Sequence, residues 1–164
     1  MLKSVFIFNE ELFIERTIVI GKINMIIEAF SADDTEQAGL LLGMEAKKKD
    51  IFCLTGDLGV GKTIFSKGFA KGLLIDEDIT SPTFTIVNEY QNGRLPFYHF
   101  DVYRLKSSDE IFELGFDEYL FGDGICLIEW AEIVKEAIPN DAIWINIEKD
   151  LSKGENYRVI KIDE

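Results

Sequence analysis

A chain of 164 residues that is 47% hydrophobic can bury one core of ordinary size, and its length gives no reason to expect a second. Its 17 Lys plus Arg stand against 30 Asp plus Glu, a formal net charge of -13 that repels bare nucleic acid and anionic membrane surfaces. No apolar run approaches the roughly 20 residues of a membrane helix and the N-terminus lacks an export-signal pattern, so a soluble, cytoplasmic protein is expected.

The first 24 residues are β-branched and aromatic, with apolar stretches interrupted at Asn9-Glu10-Glu11 and Gly21-Lys22. They read as a hairpin or as a loosely packed extension, because an isolated hairpin is marginal in water. From Met25, MIIEAF reads as a strand. Ser31 with Asp34 three residues on has capping-box spacing, which predicts a helix to about Lys47, where positive charges suit a C-terminus. The continuous apolar run DIFCLT fits a central strand buried on both faces, and it holds Cys53; Cys126 sits in a similar run. Both cysteines are expected as buried free thiols.

A second helix is predicted from about Lys62 to Leu74, with Gly68 and Gly72 allowing close packing on the sheet. Pro82 forbids helix in the loop that follows. Asn92-Gly93 then joins FTIVNEY and LPFYHFDVYRL as an antiparallel pair. One or two short helices divided at Gly115 come next, then the buried strand GICLIEW, a short helix near AEIVKEA, and the strands AIWINIE and YRVIKID.

The chemistry concentrates in GDLGVGKT. Gly56-x-x-x-x-Gly61-Lys62-Thr63 fits the P-loop pattern and lies between an apolar strand and a helical segment, as that site requires. Gly56, Asp57, Leu58, Gly59, Val60, Gly61, Lys62 and Thr63 would cradle phosphates with backbone N–H groups, helped by the positive end of the helix. Lys62 would reach the β and γ phosphates of a nucleoside triphosphate, and the Thr63 hydroxyl would take a position on Mg²⁺. A second acid for Mg²⁺ is expected at the end of a buried strand, where ICLIE supplies Glu129 in place of the commoner Asp. Strand alternation puts His99, Asp101 and Tyr103 on one face. Asp101 then orients or deprotonates a water, holds Mg²⁺ through water, or pairs with His99 at a solvated face. The hydroxyls of TSPTF, Thr80 to Phe84, fit either a γ-phosphate-sensing segment or a plain turn.

These motifs, with SPTFTIVNEY, ELGFDEYL and CLIEWAE, come in the order and spacing of the bacterial TsaE family, also called YjeE, of tRNA threonylcarbamoyladenosine biosynthesis ATPases. The chain resembles that family over about Met25 to Asp163, and HFDVYR joined to IEW is the distinctive part. The resemblance implies an α/β P-loop NTPase fold, a three-layer sandwich with central parallel strands, an antiparallel hairpin and C-terminal antiparallel strands. It implies slow, Mg²⁺-dependent ATP hydrolysis, acting with the partners TsaB and TsaD, tRNA being met only indirectly. Carried over by motif, Thr63 and Glu129 are Mg²⁺ ligands and Asp101 and Lys62 catalytic, with Thr35 and Arg158 near the adenine. Two departures stand out: Ala131 replaces a common proline, and residues 1–24 have no counterpart, so an extension followed by an ATPase domain over 25–164 is expected.

Rival readings are a small-molecule kinase, a GTPase and a non-hydrolysing ATP-sensing scaffold. Only Arg16, Arg94, Arg104 and Arg158 are available to a kinase lid, and no Asn-Lys-x-Asp segment follows the P-loop.

Overall fold

The apolar runs become the strands of one mixed sheet in the computed structural model, which describes residues 2–8, 12–19 and 22–163, with side chains from Met25 onward. In chain order the elements are β1 (Leu2–Phe8), β2 (Leu12–Val19), β3 (Lys22–Ala29), α1 (Ala32–Glu45), β4 (Ile51–Thr55), α2 (Lys62–Gly72), β5 (Val87–Tyr90), β6 (Phe97–Asp101), α3 (Ser108–Phe112), α4 (Phe116–Leu120), β7 (Ile125–Glu129), a 3₁₀ helix (Ala131–Ala137), β8 (Ile143–Lys149) and β9 (Arg158–Asp163). The interruptions expected at residues 9–11 and at Gly21 lie outside the described residues.

Among the described residues the sheet has nine strands in the order β1-β2-β3-β9-β8-β4-β7-β6-β5. β6, β7, β4 and β8 run parallel at its centre. β5 joins one edge antiparallel through the hairpin around Asn92-Gly93, and on the other side β9 lies antiparallel between β8 and β3. Continuous apolar composition explains the centre: every residue of Ile125–Glu129 is buried, because helices cover both faces. Phe65, Phe69, Ala38 and Ile145 belong to the core on the α1/α2 face; Phe100, Ile111, Phe116 and Val134 belong to the core on the α3/α4 face. This is the expected three-layer P-loop sandwich. Cys53 and Cys126 are free and buried, and burial pushes the Cys126 thiol up to about 12.

The capping box forms as its spacing requires. Ser31 Oγ accepts from the Asp34 amide at 3.0 Å, and Asp34 Oδ2 accepts from the Ser31 amide at 3.0 Å, a cap worth about 1 kcal/mol. α1 stops at Glu45, so the lysines follow its end. Its terminal carbonyls meet Arg94 instead, whose guanidinium lies 2.5 Å from Gly43 O and 2.6 Å from Ala46 O.

Gly68 and Gly72 pack against α1, not against the sheet as their spacing suggested. A Cβ on Gly68 would lie 1.9 Å from Glu36 O, and one on Gly72 2.3 Å from Leu40 O. From the other side, a Cβ on Gly39 or Gly43 would lie 2.1 Å from Phe65 O or Phe69 O. Four glycines thus bring two helix backbones into direct contact, and this seats the start of α2 against the start of α1.

Candidate nucleotide-binding site

β4 delivers the chain to a loop whose three glycines take backbone angles closed to most residues: φ is 131° at Gly56, 73° at Gly59 and 110° at Gly61. Gly56 also has no room for a side chain, since a Cβ there would lie 2.3 Å from Ile147 O on β8. α2 begins directly after the loop, so its unpaired N–H groups and positive dipole end face the same space. Beside the loop is a cleft of about 470 Å³ lined by Leu58, Gly59, Gly61, Lys62, Thr63, Ile64, Ser81, Thr83, Asp101, Tyr103, Glu129 and Trp130. Lys62 and Thr63 of the P-loop, Asp101 of HFDVYR and Glu129 of ICLIE therefore share one cavity.

Lys62 is buried. Its ammonium donates to Gly56 O at 2.6 Å and Asp57 O at 2.9 Å, and lies 3.6 Å from the centre of the Trp130 ring. Burial pulls its pKa below the usual lysine range, opposed by the charges of Glu129, Glu132, Asp101 and Asp57. Trp130 holds this position with φ at 62°, its amide bonded to Leu54 O at 2.9 Å, and Tyr103 lies 4.8 Å away, centre to centre.

His99 and Asp101 do share a face of β6, but they do not pair with each other, and the face is not solvated. Asp101 Oδ2 accepts from the hydroxyls of Ser81 at 2.6 Å and Thr83 at 2.7 Å, and Oδ1 accepts from the Tyr103 amide at 3.1 Å. His99 Nε2 instead meets Glu129 Oε1 at 2.8 Å, with both side chains buried. β6 ends at Asp101, so Tyr103 falls past the strand and is half exposed. The TSPTF loop thus holds Asp101 through two hydroxyls, beyond what a plain turn requires.

Thr35 and Arg158 abut the loop without lining the cleft. Thr35 is buried, its hydroxyl bonded to Ser31 O, and its methyl lies 3.6 Å from where Gly61 would carry a Cβ. Arg158 donates to Val60 O at 2.7 Å and also to Glu155 O and Tyr157 O. Arg94 is occupied at the end of α1, and the Arg104 guanidinium lies 4.3 Å from the Phe84 ring. Among the described residues, no arginine lines the cleft, as a kinase lid would require. Ser66 was missed from sequence: it is fully buried on α2 and donates to Glu129 Oε1 at 2.7 Å. Its signal was a serine inside a helix, where this residue is not favoured.

Among the described residues, no group of three or more His, Cys, Asp or Glu has metal-holding geometry. A Mg²⁺ site of the P-loop kind takes one or two carboxylates and completes its shell with phosphate oxygens and water. Two carboxylates, Glu129 and Asp101, and the Thr63 hydroxyl line the cleft with the phosphate loop, so the residues fit the group.

A parallel strand, a loop with three left-handed glycines and a helix opening on Lys-Thr define a P-loop nucleotide-binding protein. The family model described as "Threonylcarbamoyl adenosine biosynthesis protein TsaE" matches residues 29–158. The chain is 48% identical over 117 residues to the tRNA threonylcarbamoyladenosine biosynthesis protein TsaE of Bacillus subtilis, covering 71% of this chain and 73% of that one. It is 44% identical over 117 residues to the protein of the same name from Treponema pallidum, covering 71% and 86%. The crystal structure of Bacillus subtilis YdiB superposes with a TM-score of 0.73 at 37% identity, covering 90% of this chain and 88% of that one. The chain belongs to the TsaE family, and membership in this P-loop family implies nucleotide binding. No helix among the described residues is long and apolar enough to cross a membrane.

Proposed function

We propose that this protein binds and slowly hydrolyses Mg²⁺-ATP in the cytoplasm and acts on a TsaB–TsaD complex during threonylcarbamoyladenosine formation on tRNA. The observation that carries the reading is the convergence of Lys62, Thr63, Asp101 and Glu129 on one cleft beside the phosphate loop. Residues 25–164 are read as the ATPase domain and 1–24 as an N-terminal extension.

In this reading the backbone amides from Gly56 to Thr63 bind the phosphates, and Lys62 exchanges the Gly56 and Asp57 carbonyls for phosphate oxygens. Thr63 and Glu129 hold Mg²⁺, which supplies charge neutralisation at the phosphates. Thr35 and Arg158, against Gly61 and Val60, bound the adenine end. Asp101 orients the attacking water: its Oδ2 is taken by two hydroxyls, and Oδ1 keeps acceptor capacity beside the one amide it serves. A water held by one lone pair is positioned but weakly activated, which accords with slow turnover. The net charge of -13 suits a basic surface on the partner and keeps tRNA an indirect contact.

Reconstitution tests the reading. TsaB and TsaD, supplied with activated threonylcarbamoyl donor and tRNA, should continue beyond one turnover only when this chain and ATP are added. Equal product without it would overturn the proposal.

A further inference from the structure

We infer that Ser66 and His99 are positioning residues that clasp one oxygen of Glu129 and thereby reserve the other for Mg²⁺ or a water bound to it. The inference rests on reading Glu129 as the acid that holds the metal.

Glu129 stands where a P-loop site more often has Asp, and the extra methylene adds a torsion that must be fixed before the carboxylate can serve a small octahedral ion. The structure fixes it at one atom. Ser66 Oγ lies 2.7 Å and His99 Nε2 2.8 Å from the same Oε1, and all three residues are buried, at 0%, 0% and 2% exposure. Ser66 also lies 3.0 Å from Lys62 O, but with a single hydroxyl proton it serves the closer, charged acceptor. The His99 proton belongs on Nε2 as well, because Nδ1 is buried with no hydrogen-bond partner and a proton there would be wasted. Both donors are thus spent on Oε1. Neither residue is required by the strand or helix that carries it: a histidine inside an apolar strand and a serine inside a helix both go against local preference.

The clasp also sets distance. Ser66 lies three residues after Thr63 on α2, so the element that presents the Thr63 hydroxyl is tied directly to the strand that presents Glu129. His99 makes the same tie from β6, the strand that ends in Asp101.

The test measures the Mg²⁺ concentration that half-saturates binding of a fluorescent ATP analogue, with affinity in EDTA and the melting temperature read alongside. Ser66→Ala and His99→Leu should each raise the Mg²⁺ requirement by about tenfold or more while leaving affinity in EDTA near wild type. His99→Gln, which keeps an N–H donor at similar reach, should restore most of the loss. A folded Ser66→Ala and His99→Leu with wild-type Mg²⁺ requirement, in the presence of a clear shift for Glu129→Gln, would overturn the clasp alone. No shift for Glu129→Gln would overturn the metal-holding reading of Glu129, and the clasp with it.

Discussion

Asp101 and Glu129 are register partners at the carboxyl ends of the parallel strands β6 and β7. In an open α/β sheet this is the end at which loops form ligand sites, so two neighbouring acids fall beside the phosphate loop through strand pairing alone. Their surroundings then divide their roles. Asp101 is tied to the loop hydroxyls of Ser81 and Thr83, whereas Glu129 is tied to the buried Ser66 and His99. Asp101→Asn, which keeps the shape but turns one acceptor oxygen into a donor, should therefore retain nucleotide binding and lower hydrolysis by roughly 10²- to 10⁴-fold. Phosphate release and analogue binding check this together; loss of Mg²⁺-dependent binding would instead assign Asp101 to the metal.

Among the described residues Lys62 is the one cation lining the cleft, and Lys62→Ala removes it. A hydrogen bond to a charged group contributes about 1.5–3 kcal/mol, so nucleotide affinity should fall by about 10- to 100-fold or more. A titration with a fluorescent ATP analogue measures it. The fold should survive, because the lysine now bonds only to loop carbonyls and stacks on Trp130.

Gly68→Ala should destabilise the protein by about 1–3 kcal/mol or more, read as a fall in melting temperature. Its Cβ would meet a backbone carbonyl at 1.9 Å, and backbone cannot rotate aside as a side chain would. Gly122→Ala, with the nearest atom at 2.9 Å, should cost less.

The Glu28 cluster gives a pH dependence. Hydrogen bonds from Tyr157 and then Lys153 hold the Glu28 carboxyl below its ordinary 4.5. A carboxyl lowered in the folded state adds stability that is present above the unfolded value and lost as pH falls through the folded one. Glu28→Gln should thus be less stable than wild type near neutral pH, with the gap closing on acidification below about 4.5. Urea denaturation at a series of pH values reads this directly; the Lys153 pair is partly exposed, so the gap will be modest.

What was legible in the sequence was local. Ser31 with Asp34, the glycines and Lys62-Thr63 of the loop, and Asn92-Gly93 each specify geometry within a few residues, and each forms as read. Strand alternation placed His99 and Asp101 together for the same reason. The losses were tertiary. That Gly68 and Gly72 meet α1 depends on Gly39 and Gly43 across a helix interface, and that His99 meets Glu129 instead of Asp101 depends on the neighbouring strand. Tyr103 was misplaced because β6 ends at Asp101, where the Val102 amide turns to Glu129 O. Ser66 lay outside the quoted P-loop pattern, and only its contact with Glu129 gives it a part in the site.

Under the proposed function, ATP turnover serves the TsaB–TsaD complex. Phosphate release by the purified chain, measured with and without TsaB and TsaD, tests it most directly. Release should be slow from the chain alone and faster with the partners, and abolished by Lys62→Ala in both cases; equal rates with and without them would rule out that partner role.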